Sequence, residues 1–373
     1  MRIVFITNNY TPYSGGVVSS INATADELQK KGHTVFIITL DFLGTNTNDP
    51  EYVIRIPCPI RFRYKKNYMA IPWRPTHAIT TLIEKLSPDI VHVHHPFLLG
   101  PCGLKAAKKL SLPCVFTYHT MYEQYAHYIP LPTFITRPII TYMVNRFCKA
   151  VDAIIVPSSS IKQYLIQQKI SCPIAIIPSP LRPLFLNSTL LRSARENTFK
   201  LLVVSRFVKE KNIPFIFEVF KQLPDHFTLT LVGYGDEYEK MQNMAYEKYE
   251  FSRNRLFFVH KPPMQDLLNL YSSADLFLFP SQTDTQGLVI IEAFSQGLSV
   301  IALDGAGQRD SICNGVNGFI VENADQMAQT IIDLSENNDL LHIVSLGAKK
   351  TSLQYHSDGI IDKLIHFYQS LQK

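Results

Sequence analysis

The residues best suited to chemistry stand just after short apolar runs. Arg206 and Lys211, in SRFVKEKN, follow the run at 200–205. Two cations on a loop after a strand suit a diphosphate. They would also stabilise negative charge on a departing nucleotide diphosphate; a solvated charged loop is the plainer alternative. Asp284 and Glu292 lie eight residues apart in DTQGLVIIEA, after the run at 276–281. If a helix starts near Gly287 or Leu288, its first-turn amides are free to hold phosphate while the carboxylates hold sugar or ribose hydroxyls. An N-capping acid and a surface Glu would look the same. His119 ends the run CVFTYH, where it could donate a hydrogen bond or move a proton, or sit satisfied in the core. Gly15 and Gly16 follow the first apolar run and open a helix. There they permit close approach of a ligand, or simply make a tight turn.

Two further clusters are ambiguous. In VHVHH, strand alternation puts His92 and His94 on one face, with His95 beside them. No acidic partner is near in sequence, so packing and hydrogen bonding are favoured over a metal site. Arg61, Arg63, Lys65 and Lys66 interleave with aromatics and precede Trp73, the single tryptophan. Such a stretch suits the headgroup layer of an anionic membrane, or is a solvated loop.

The elements that must position these residues alternate. Strands are expected at 2–7, 34–39, 89–95, 114–119 and 153–157, with helices between, the first over 17–31. The pattern restarts at 200–205, 228–233, 255–260, 276–281 and 299–303. This is an α/β chain with two doubly wound, Rossmann-like domains. The segment IPSPLRPLF, 177–185, has three prolines and reads as the interdomain linker. Two such domains facing each other would create a cleft, with ligands beyond the carboxyl ends of the strands.

Composition narrows the function. A chain of 373 residues with 46% hydrophobic residues fits two domains and excludes disorder. Charged residues are 18%, low against the typical ~25%. Residues 1–185 hold 19 Lys/Arg against 9 Asp/Glu; residues 186–373 hold 17 against 22. A basic first half implies an anionic partner. No nucleic-acid signature is present, so an anionic lipid surface is favoured. No GxGxxG fingerprint follows the first strand, which argues against NAD or FAD. No apolar run is long enough for a transmembrane helix, and the N-terminus lacks a signal-peptide pattern. Six scattered cysteines give no zinc ribbon, CxxC site or dense disulfide framework and fit a reducing, cytoplasmic compartment.

Taken in order, GGV, VHVHHP, FTYHTMYE, SRFVKEKN, LVGYGD, DTQGLVIIEA and NGFIV resemble the family 4 retaining glycosyltransferases of the GT-B fold. The resemblance runs from about residue 3 to 330. FTYHTMYEQYAHY with DTQGLVIIEA is most similar to the subgroup that glycosylates membrane lipids such as diacylglycerol. The resemblance implies an N-terminal acceptor-binding domain, 1–180, with a helix at about 356–373 crossing back onto it. It implies a nucleotide-sugar domain at 181–355. It makes Arg206, Lys211, His119 and Asp284 the catalytic group. Gly15, Gly16, Gly233, His260, Gly287, Leu288, Val289 and Glu292 would join Arg206, Lys211 and Asp284 in holding the donor. Tyr122 would lie with Arg61, Arg63, Lys65, Lys66 and Trp73 on the acceptor and membrane side. The implied co-substrate is a UDP-sugar, with no cofactor and no metal. The implied setting is the inner face of the cell membrane, with a lipid acceptor. The implied mechanism is front-face, the leaving phosphate helping to deprotonate the acceptor. Oligomeric state is not legible.

Four positions depart from the family pattern. Asp284 replaces the first Glu of the Glu-x7-Glu motif, His260 stands at a common glycine, Asp310 at a common Glu, and the linker reads IPSP. The rival expectations are transfer to a soluble or cell-envelope saccharide and a non-catalytic nucleotide-sugar sensor.

Overall fold

A computed structural model describes residues 1–11, 15–42, 49–64, 67–129, 131–186 and 198–372. The chain divides into two compact units, Met1–Pro180 with Ser357–Lys373, and Leu181–His356.

In the first unit the strands are β1 (Arg2–Ile6), β2 (Thr34–Leu40), β3 (Val53–Ile56), β4 (Ile60–Tyr64), β5 (Asn67–Ile71), β6 (Ile90–Val93), β7 (Cys114–Thr117), β8 (Ala153–Val156) and β9 (Ile174–Ile176). Seven form a parallel sheet in the order β3-β2-β1-β6-β7-β8-β9. Ile3 to Ile6 are all fully buried. A continuous apolar run is what a parallel strand needs when helices cover both faces. β4 and β5 pair antiparallel as a separate hairpin, Arg61 opposite Ala70 and Arg63 opposite Tyr68. The basic stretch read as a loop is therefore largely strand. Lys65 and Lys66 lie outside the described residues.

The C-terminal helix Ser357–Leu371 buries Ile360, Ile361, Leu364 and Tyr368. Its Asp362 accepts from Lys31 Nζ at 2.7 Å. The Tyr368 hydroxyl lies 2.5 Å from His92 Nδ1.

The second unit contains β10 (Phe199–Arg206), β11 (Phe227–Tyr234), β12 (Leu256–His260), β13 (Leu276–Phe279), β14 (Ser299–Leu303) and β15 (Gly318–Val321). They form a parallel sheet ordered β12-β11-β10-β13-β14-β15. Period-two alternation divides their side chains between two cores. Leu201, Val203, Leu229, Leu276 and Ile301 pack on one side, and Leu202, Val232, Phe277, Val300 and Ala302 on the other. Leu181 and Phe185 join the second of these cores. The units divide at Pro180, in the middle of the Pro-rich segment taken as a linker. Its second half is therefore packed structure rather than a tether.

Candidate active site

The second unit gathers several predicted residues at the carboxyl ends of β10 and β13. Arg206 is the last residue of β10, and Lys211 closes a single 3-10 turn, Lys209–Lys211. The turn is tied to the chain after β13, where Ser281 Oγ donates to the Glu210 carbonyl at 3.3 Å. Lys211 Nζ then reaches both oxygens of Asp284, at 2.6 and 2.7 Å. Burial pushes the Asp284 carboxyl up. Lys211, the Ser281 hydroxyl and the Arg206 charge outweigh it and hold the group below the usual range, so it is ionised. Among the described residues Arg206 makes a long contact to Glu210, 3.6 Å, and its side chain is 41% exposed.

The loop after Asp284 turns into the helix Leu288–Ser295 through Gly287 in the left-handed conformation, φ 71°. The chain stays near Asp284 because Gly307 donates its amide to the Asp284 carbonyl at 3.1 Å. A Cβ at Gly307 would sit 2.6 Å from that oxygen and 2.8 Å from the Gln286 nitrogen. The loop after β14 is therefore pressed onto the Asp284 loop, backbone to backbone.

Glu292 faces inward and is buried. Arg182 donates to its Oε1 from Nε at 2.9 Å, with the terminal nitrogen at 2.7 Å. Tyr271 donates to Oε2 at 3.1 Å. Burial raises the Glu292 carboxyl, and Arg182 and Tyr271 pull it only part of the way back. Arg182, stacked over Phe185 at 4.9 Å, was not among the expected site residues. All the sequence shows of it is a lone cation in a Pro-rich apolar segment, with no partner nearby.

Gly233 pairs with Ser205 on one side and His260 on the other. A Cβ there would meet the Ser205 carbonyl oxygen at 1.7 Å, so only glycine fits. His260 is exposed at the end of β12, its ring edge-on to Tyr238 at 4.8 Å. Asp310 is exposed on the short helix Ala306–Ser311.

The other predicted residues belong to the first unit. Gly15 caps the helix Gly16–Lys30 in extended geometry, with no described residue within 4 Å of a Cβ. His119 lies two residues beyond β7, its Nε2 2.9 Å from His94 Nδ1 and the rings stacked. His92 is held by Tyr368 and by Thr117 Oγ1 at 2.6 Å. Burial pushes His119 and His94 well below the ordinary histidine value, His92 to about 3 and His95 to about 4. The column is neutral at pH 7, a set of hydrogen-bonding groups rather than cations. Among the described residues no group of three or more His, Cys, Asp or Glu side chains could hold a metal ion. Among the described residues, His94 Nε2 and the Tyr122 hydroxyl are buried with no hydrogen-bond partner. Tyr122 opens the 3-10 segment Tyr122–Tyr128, and its ring is edge-on to Phe97 and Tyr118. Trp73 is 72% exposed, and Arg61 pairs with Asp41 at 2.8 Å.

Two Rossmann-like units, each a parallel sheet with helices around it, are the units of a GT-B fold. The Glycosyltransferase Family 4 model matches residues 14–183, and the Glycosyl transferases group 1 model matches 192–351. Alpha-monoglucosyldiacylglycerol synthase of Streptococcus pneumoniae is 31% identical over 81% of this chain and 71% of its own length. The synthase of the same name from Acholeplasma laidlawii is 28% identical over 95% and 93%. Sucrose-phosphate synthase from Thermosynechococcus elongatus shares the fold with a TM-score of 0.82, at 19% identity over 99% of this chain and 98% of its own. The chain belongs to glycosyltransferase family 4 and is thus an enzyme, a hexosyltransferase.

Proposed function

We propose that the protein transfers a hexose, with retention at the anomeric carbon, from a UDP-sugar to a hydroxyl of a membrane lipid of the diacylglycerol type. The observation that carries the donor half is the Arg206–Lys211–Asp284 cluster, two cations and an ionised acid within one pair of loops. In this reading the bond from the anomeric carbon to the diphosphate oxygen breaks. The acceptor oxygen bonds to the same face, and its proton passes to the departing phosphate. Arg206 and Lys211 neutralise the charge that develops on the diphosphate. Asp284 holds donor-sugar hydroxyls while fixing Lys211. Glu292, oriented by Arg182 and Tyr271, holds the ribose. Gly233 and His260 border the base; Gly15 and Gly16 border the diphosphate or the acceptor. The amides of Gly287, Leu288 and Val289 hold phosphate. Neutral His119, backed by His94, donates to the sugar. With the diphosphate charge met by two side-chain cations, the reading requires no metal.

The acceptor half is supported by the two relatives named for diacylglycerol products and by the basic first unit. Arg61, Arg63, Lys65, Lys66 and Trp73 would meet an anionic bilayer at the inner face of the cell membrane. Among the described residues no helix is long and apolar enough to cross one.

The test is nucleotide release from a panel of UDP- and GDP-sugars, with and without anionic liposomes carrying diacylglycerol. Release should require UDP-sugar and lipid and should survive EDTA. It should fall about a hundredfold or more in Arg206→Ala/Lys211→Ala. Release without lipid would move the acceptor to soluble glycans. Binding of nucleotide sugar with no release would remove the enzymatic reading of these residues.

A further inference from the structure

The helix Thr133–Cys148 is apolar on two faces, and only one is covered. Thr136, Ile140, Val144, Phe147 and Cys148 are buried against the first unit's core. On the other side Leu131, Phe134, Ile135, Ile139, Tyr142 and Met143 are exposed, Phe134 by 78% and Tyr142 by 66%. Their spacing of three and four residues puts them in one stripe along the helix. Exposed apolar residues scattered singly need no explanation, but a continuous stripe of this length marks a contact surface.

We infer that this stripe docks on an anionic lipid bilayer, with the helix lying in the plane of the headgroups. Charge selects that occupant. From residue 124 to residue 151 the sequence has no Asp or Glu, while Arg137, Arg146 and Lys149 are exposed beside the stripe. A second copy of the chain packed on this face would set like cations against one another with no acid on the helix to pair them. An anionic bilayer takes the apolar stripe into its acyl boundary and the cations at its phosphates. Phe134 and Tyr142 are the aromatic types that settle at that depth. The stripe also connects to chemistry. The 3-10 segment after His119 packs on this helix, Thr136 Oγ1 donating to the Ala126 carbonyl at 3.5 Å. A docked helix therefore sets the His119–Tyr122 segment at the membrane surface, where a lipid hydroxyl is presented. That last step rests on the lipid-acceptor reading; the docking itself does not.

The experiment is co-sedimentation of the full chain with phosphatidylcholine vesicles, with and without phosphatidylglycerol, both free of diacylglycerol. The parent should bind the anionic vesicles, and salt should weaken the binding. Phe134→Ser/Ile139→Ser/Tyr142→Ser should lose about tenfold or more in partition, as should Arg137→Ser/Arg146→Ser/Lys149→Ser. Both should keep the parent's melting temperature. Parent-like binding by either folded variant overturns the inference. So does a parent dimer that the apolar variant breaks while still binding vesicles. Transfer to diacylglycerol in detergent micelles is measured separately. Transfer there by a parent that binds no vesicles would overturn the docking surface and leave the acceptor reading standing.

Discussion

Asp284 and Glu292 share one loop and helix, yet their surroundings push them in opposite directions. Burial raises both, but Lys211 overcomes it for Asp284 and Arg182 does not for Glu292. Because Asp284 titrates lower in the folded chain than in the unfolded one, its pairing stabilises the fold above about pH 4 and is lost as pH falls further. Lys211→Met strands that carboxylate and should cost about 3 kcal/mol at pH 7. The stranded acid takes up a proton more readily, so the deficit should shrink between pH 7 and pH 4. Urea midpoints of both proteins across that range test this; a constant deficit would show that Asp284 is not the group concerned. The column of neutral histidines weakens both proteins alike as pH falls below about 6.5, and so drops out of the difference.

At the scale of elements, the strand runs and the turn into the helix at Gly287 were readable because their periods and glycines are local. Asp284 was readable for the same reason: it directly follows an apolar run. Arg182 was not, because its partner Glu292 is 110 residues away and prolines disguised a packed segment as a linker. The open face of Thr133–Cys148 was equally hidden. Its exposed Ile139 and buried Ile140 are adjacent and chemically identical, and only the fold tells them apart. The β4–β5 hairpin was missed because the cations alternating with aromatics in Ile60–Tyr64 fit a headgroup-binding loop equally well. The contact between the loops after β13 and β14 gives a prediction at this scale. Gly307→Ala forces a Cβ onto the Asp284 carbonyl and the Gln286 amide, and backbone cannot swing aside as a side chain can. It should cost about 1–3 kcal/mol in stability. It should also lower kcat/KM more than Gly359→Ala, whose Cβ meets nothing within 4 Å. Equal kinetics for the two would separate this contact from the site.

At the scale of the molecule, basic charge collects in the part that carries His119 and the open helix face, and acidic charge in the part that carries Arg206 and Lys211. The first unit is also discontinuous in sequence. Ile360, Ile361, Leu364 and Tyr368 return to it from the far end of the chain, and Tyr368 satisfies the buried His92. Burial of four such side chains is worth roughly 6–12 kcal/mol, as much as the whole stability of many domains. A chain ending at His356 should therefore keep a folded second unit while its first 180 residues become protease-sensitive. Limited proteolysis with mass mapping of the fragments reads this directly; uniform resistance would mean the helix is an accessory.

That discontinuity also reverses the order of completion during synthesis. Residues 1–180 leave the ribosome before Leu181–His356 yet cannot be finished until Ser357–Leu371 have followed, whereas the second unit is whole as soon as His356 emerges. Throughout translation of the second unit, the nascent first sheet lacks the cover of Tyr368. In that interval the apolar positions that Ile360, Ile361, Leu364 and Tyr368 later cover stay open to other chains.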